Sequence, residues 1–182
     1  ATGGHHSLIY FRPGDLLSFI PSVNHAYGIP HDAFDFLLYN ESFAMCAKTS
    51  CRLVCTENHD FMLHMHEEPL HTLLIRGLAG NLMKIIVQSV NNCTLPAIVR
   101  VCRMLSVSME KDPPHALPRY LTHTEIAGHL SMHVMTVTKI FHSLRKAGIL
   151  GKVHGTTFVK NPQELVKLSS QVSQLSYRTE AL

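Results

Sequence analysis

Charge is scarce in this 182-residue chain: Asp, Glu, Lys and Arg make up 16% of it, against 46% hydrophobic residues. That balance excludes a disordered chain or a coiled-coil fibre and fits a globular protein with a core to bury. No uninterrupted apolar run approaches the roughly 20 residues of a membrane span, so a soluble chain with no membrane partner is expected. The opening Ala-Thr-Gly-Gly-His-His has neither a basic start nor an apolar segment, so no signal peptide is expected. Also missing is any Cys-x-x-Cys. The five cysteines (Cys46, Cys51, Cys55, Cys93, Cys102) are odd in number and unpaired in spacing, which argues against a secreted disulfide framework and for a reducing cytoplasm. Fourteen histidines are present, but neither His5-His6 nor His64-x-His66 has the i, i+4 spacing that sets two ligands on one helical face. No catalytic or metal-ligating constellation emerges, so an enzyme is not expected and the cofactor is left unknown.

Charge is unevenly placed. Residues 1–114 hold 8 Lys/Arg and 10 Asp/Glu, whereas residues 115–182 hold 8 Lys/Arg and only 3 Asp/Glu. The overall +3 therefore divides into −2 in front and +5 behind. A basic rear module meets a polyanion or is simply a solvated basic face, and charge alone leaves both open.

The front reads as strands. Ser7-Leu-Ile-Tyr-Phe-Arg runs into the turn pair Pro13-Gly14, and Phe43–Ala47 and Arg52–Cys55 flank a break at Lys48-Thr49-Ser50. Cys51, Leu53 and Cys55 share one side by the two-residue period and are expected to be buried small hydrophobes rather than redox or metal groups. A hairpin this close to residue 1 needs partner strands before it, so the first strands of the native domain are expected to precede this chain. From Pro69, behind Glu67 and Glu68, the period changes: Leu74, Leu78, Leu82, Ile85 and Ser89 form a helical apolar stripe that needs a partner. That partner is read as both the front module and the same helix of a second subunit. Asn91-Asn92 is expected to break this helix, and Thr94 to cap the next, whose apolar face is Ile98, Val101, Cys102 and Leu105.

Residues 121–150 carry the most information. A short helix with Ile126, Ala127 and Leu130 inward meets a tight turn at Ser131-Met-His, and a second helix buries Val137, Ile140, Phe141 and Leu144. Ala147-Gly148 ends it, a hairpin turns at Gly155, and Asn161-Pro162 opens a last helix with Leu165 and Leu168 inward. This is a helix-turn-helix pattern, whose second helix enters the DNA major groove. A ligand-free helical hairpin would explain the apolar positions. It would not explain hydroxyls and cations at Thr136, Thr138, Lys139, Arg145 and Lys146, which suit phosphate oxygens.

The segment resembles, without gaps, the winged helix of the Crp/Fnr family of bacterial transcription regulators. The order of Pro13-Gly14-Asp15-Leu16, Ala47-Lys48-Thr49-x-Cys51, the long helix and Thr94–Leu105 is similar as well. The resemblance implies an α+β fold in three parts. Residues 1–66 would be an incomplete effector-sensing β-roll, a cyclic-nucleotide-binding-like jelly roll. Residues 67–92 would be a dimerisation helix, and residues 93–182 a winged helix-turn-helix. It implies a cytoplasmic homodimer on a palindromic duplex, with a small-molecule effector and RNA polymerase as further partners.

By position the family's base-reading residues fall on Val134, Met135 and Lys139, flanked by Thr136 and Thr138. His142, Arg145 and Lys152 complete the expected DNA-contact set. The departures are informative. Apolar Val134 and Met135 suit thymine methyl groups, and Lys139 lacks the bidentate fork of arginine. Ser131 stands where glycine is usual in the turn and His133 where Ser or Thr caps, so a local stability penalty is expected. The positions of the family's cyclic-nucleotide Gly-Glu and Arg-Ser pairs hold Ser18-Phe19 and Glu41-Ser42. A carboxylate repels a phosphate and Phe19 accepts no ribose hydrogen bond, so an effector site at Phe19, Glu41 and Ser42 is not expected to take cyclic AMP. The stretch Pro21–Asn40, with Tyr27, Phe34, Phe36 and Tyr39, either packs the roll or lines an apolar pocket for a small aromatic molecule. Metal, haem or redox sensing on the same fold, or a His/Cys metalloenzyme, are the alternatives.

Overall fold

The rear of the chain folds as its apolar periods dictate. A computed structural model describes Ser7, residues 9–29 and residues 44–170. It divides into two units, one spanning Tyr10–Met83 and one formed by Ala1–Ile9 with Lys84–Leu182.

In the first unit, α1 (Ile20–Ala26) and α2 (Asn58–His64) meet around a small core of Phe19, Val23, Phe61, Met65 and Leu74. Ser22 Oγ donates to Asn58 Oδ1 at 2.6 Å between them. The expected strands are not formed here: residues 9–12, 44–47 and 50–55 carry no ladder, and residues 44–60 are exposed throughout. A strand is held by its neighbour's hydrogen bonds and by a sheet face to pack on, and among the described residues no ladder pairs with these segments. Cys51, Leu53 and Cys55 are accordingly exposed rather than buried. Phe43, the stretch Phe34–Tyr39 and the expected effector residues Glu41 and Ser42 lie outside the described residues.

The long helix α3 spans Leu70–Thr94. Its most apolar 18 residues have a mean hydropathy of 1.3, so by length and composition it is long and apolar enough to cross a bilayer. Its apolar run is interrupted by Arg76, Asn81 and Lys84, as the sequence shows. Within the stripe Leu74 is buried, whereas Leu78, Leu82, Ile85 and Ser89 are exposed.

Asn91-Asn92 does not break α3. Asparagine disfavours helix mainly when its side chain competes for local backbone. Here Asn91 Oδ1 accepts from Arg103 at 3.1 Å and Asn92 Oδ1 from Arg100 at 3.2 Å, so neither is left to compete. Thr94 does not cap the next helix either. Its Oγ1 donates back to Val90 O at 2.8 Å, and Pro96 occupies the N-cap of α4 (Ala97–Ser108).

The core of the second unit is one contiguous cluster. Ile98, Val101, Cys102 and Leu105 of α4 pack with Ile126 and Ala127 of α5 (His123–His129). Val137, Ile140, Phe141 and Leu144 of α6 (Val134–Lys146) and Leu165 and Leu168 of α7 (Pro162–Ser169) complete it. Burial pushes the Cys102 thiol up to about 12, leaving it an inert hydrophobe. Strands β1 (Leu150–Val153) and β2 (Thr156–Val159) pair antiparallel with Val153 opposite Thr156. The two-residue turn between them has positive φ at both His154 (46°) and Gly155 (84°), the geometry that matches strand twist.

Candidate nucleic-acid interface

Two left-handed residues set the geometry of the helix pair. At the end of α5, Ser131 has φ 49° and Met132 N–H donates to Ala127 O at 3.0 Å, wrapping the chain sharply into α6. At the end of α6, Gly148 has φ 72°, with Gly148 N–H donating to Arg145 O at 3.0 Å and Ile149 N–H to Leu144 O at 2.9 Å. That is a Schellman stop, and it drops Ile149 into the core at the start of the hairpin. Ser131 is thus the glycine-like position expected from sequence, filled by a residue that adopts αL at a cost of about 1 kcal/mol. His133 does cap α6, its Nδ1 accepting from Met135 N–H at 3.2 Å.

The outer face of α6 carries Val134, Met135, Lys139, His142 and Arg145, all exposed, with Thr136 half-buried. Lys152 is exposed on β1. Thr138 differs from the other expected contacts: it is half-buried, and its hydroxyl donates to Val134 O at 3.1 Å. That hydroxyl has spent its only proton, so at 3.0 Å from His123 Nδ1 it accepts the imidazole N–H. Phe19, expected at an effector site, is buried in the core of the first unit.

A basic cleft of about 580 Å³ lies beside α6, and sequence reasoning missed most of it. Residues 115–117 run along β2, with Leu117 N–H donating to Thr157 O at 2.9 Å and an isolated bridge between Ala116 and Phe158. This brings Arg119, Thr122 and His123 opposite Arg145 of α6 and Lys152 and His154 of the hairpin. Thr122 caps α5 by accepting from Glu125 N–H at 3.1 Å, and Thr122-x-x-Glu125 was the readable signal for that corner. The His123 ring lies 4.5 Å from Phe141, over which Arg145 also sits at 5.8 Å. Burial, then Arg145 and Lys152, lower the His123 pKa from its ordinary 6.5. The described residues that line the cleft include no carboxylate. Among the described residues, no three His, Cys, Asp or Glu side chains converge as a metal site.

A helix-turn-helix with a following hairpin and a cationic, carboxylate-free face is the arrangement of a DNA-binding module. Residues 99–168 match the family model described as the Crp-like helix-turn-helix domain. The structure is similar to that of a CooA mutant from Carboxydothermus hydrogenoformans at 26% identity and TM-score 0.53, covering 63% of this chain and 56% of that one. It is also similar to CprK complexed with OCPA (18% identity, TM-score 0.52, 63% and 55% covered). A third neighbour is a CRP-family transcriptional regulator from Thermus thermophilus (20% identity, TM-score 0.50, 64% and 60% covered). No match was found among curated protein sequences. The chain spans little more than half the length of the solved structures it resembles. Residues 99–168 thus form a Crp-like helix-turn-helix domain.

Proposed function

We propose that the chain acts as a homodimeric, effector-responsive transcription regulator in the cytoplasm, reading a palindromic duplex with α6 in the major groove and the β1–β2 hairpin as a wing on the phosphates. The observation that carries this reading is the pairing of two chemistries on one surface. Val134, Met135 and Lys139 project from the first turns of α6, and the cationic cleft with Arg119, Arg145 and Lys152 lies beside them. Base edges need the first and phosphates the second. Val134 and Met135 favour A·T-rich half-sites through thymine methyl contact, with Lys139 supplying one monodentate hydrogen bond.

The apolar, exposed side of α3 supports the dimer. Leu78, Leu82 and Ile85 are exposed along the predicted stripe, and a second copy of the same helix would cover them. Residues 67–92 are assigned to that dimer helix, residues 1–66 to part of a sensor roll and residues 93–182 to the DNA-binding domain. An effector bound to the sensor would shift how the paired helices sit and hence the spacing of the two recognition helices. A cyclic nucleotide is disfavoured, because Phe19 packs in the small core with Phe61 and Leu74 and has no polar atom to offer. RNA polymerase is the further partner this role entails.

The test is selection of bound duplexes from a random-sequence pool by the full chain. The expected product is a two-fold symmetric site with half-sites about one helical turn apart. Recovery of unselected sequence would overturn the sequence-specific reading.

A further inference from the structure

We infer that His123 is itself a DNA-backbone ligand, engaging a phosphate as the imidazolium and so taking up a proton when DNA binds. The inference rests on the DNA-binding reading and deepens it. The ring is held on three sides. Phe141 flanks it at 4.5 Å, α5 carries it, and its Nδ1 is bound to Thr138 Oγ1 at 3.0 Å. Because Thr138 donates to Val134 O, the Nδ1 position carries hydrogen, and Nε2 is the nitrogen left for a ligand.

The groups facing the ring are cations. Arg145 approaches from α6 and Lys152 from β1, while Arg119 on the preceding loop and His154 in the hairpin turn line the same cleft. On its own helix, Glu125 is engaged with Ser7 Oγ at 2.6 Å. In the free protein these surroundings favour the neutral ring. A phosphate in the cleft reverses the local field, so the same surroundings then favour the charged ring, which adds a charge-assisted hydrogen bond. Binding therefore strengthens as pH falls, which is the sign proton uptake requires. A permanent arginine at this place would bind without that dependence. Thr138 becomes the residue that positions the ring rather than a phosphate contact.

The test uses the full chain with a fluorescein-labelled random-sequence 30-bp duplex, followed by anisotropy from about pH 5.5 to 8.5 at constant ionic strength. One linked proton allows at most about tenfold in affinity per pH unit. Wild-type protein is expected to gain about three- to tenfold more affinity across this range than His123→Gln, since the two proteins differ at this ring alone. His123→Arg should bind at pH 8 at least as tightly as wild type does at pH 6, with the shallow pH slope of His123→Gln. Equal slopes for wild type and His123→Gln would overturn the inference while leaving DNA binding intact. No binding by wild type at any pH would overturn the DNA-binding reading and this inference with it. Should the glutamine variant not fold, nuclear magnetic resonance titration of the wild-type His123 ring replaces it. The ring pKa should rise on adding duplex, and an unchanged value overturns the proposal.

Discussion

Within the second unit Arg103 ties Asn91 to Ser169: its Nη1 donates to Asn91 Oδ1 at 3.1 Å while its Nε donates to Ser169 O at 2.8 Å. One side chain on α4 thereby holds the last turns of α3 and the end of α7. A neighbouring pair repeats the device, with Arg100 Nη1 bridging Asn92 Oδ1 and Leu130 O, the latter at 2.8 Å. Hydrogen bonds from charged donors contribute about 1.5–3 kcal/mol each when half-buried. Arg103→Ala removes two such bonds and should therefore lower stability by about 3 kcal/mol or more, read as a shift in the urea midpoint with little change in slope. Arg103→Lys, which makes one of the two bonds, should fall between. An unshifted midpoint for the alanine variant would show that these bonds are replaced by water without loss.

The two left-handed residues that bound α6 give a pair of opposite predictions. Gly148→Ala places a Cβ at φ 72° within a Schellman stop and should destabilise by about 1 kcal/mol. Ser131→Gly relieves the same conformation at φ 49° and should stabilise by up to about 1 kcal/mol, less the entropy glycine adds to the unfolded chain. Thermal denaturation of both variants reads the signs directly. A stabilising Gly148→Ala would mean that α6 does not stop as described.

Acidification should weaken the fold through His129. Burial lowers its pKa from 6.5, and this outweighs the opposing hydrogen bond to Ser7 O (2.8 Å) and the field of Glu125. A folded-state pKa below the unfolded value means that the unfolded chain binds more protons at mildly acid pH. The contribution is fully present above about pH 6.5 and is lost as pH falls through the folded-state value. His123 acts with the same sign. Unfolding free energy measured from pH 7.5 to 5 should decline, and His129→Gln should flatten part of that decline. A wild-type curve with no decline over this range would contradict the assignment.

The rear of the molecule was legible because its elements are specified locally. The apolar periods of α4, α6 and α7 predicted which side chains are buried, and Gly148 and Asn161-Pro162 marked a stop and a start. The front was not legible for the opposite reason. A strand depends on partners distant in sequence, and the alternation at Cys51, Leu53 and Cys55 says nothing about whether a partner is present. Asn91-Asn92 misled because a helix-breaking tendency that comes from side-chain competition vanishes once Arg100 and Arg103 occupy those side chains. The basic cleft stayed hidden since it unites Arg119 and His123 with Lys152 and His154, about thirty residues on, through pairing of residues 115–117 with β2. No local pattern announces such a pairing, although Thr122-x-x-Glu125 marked one corner of it.

If α6 reads base edges while the cleft beside it holds phosphate, Lys139→Ala should separate the two contributions. On a duplex obtained by selection, at fixed salt, the variant should bind at least about tenfold more weakly than wild type. On a random-sequence duplex the loss should be smaller, so that the ratio of specific to nonspecific affinity falls. Equal affinity of Lys139→Ala and wild type for the selected duplex would contradict the placement of α6 in the major groove.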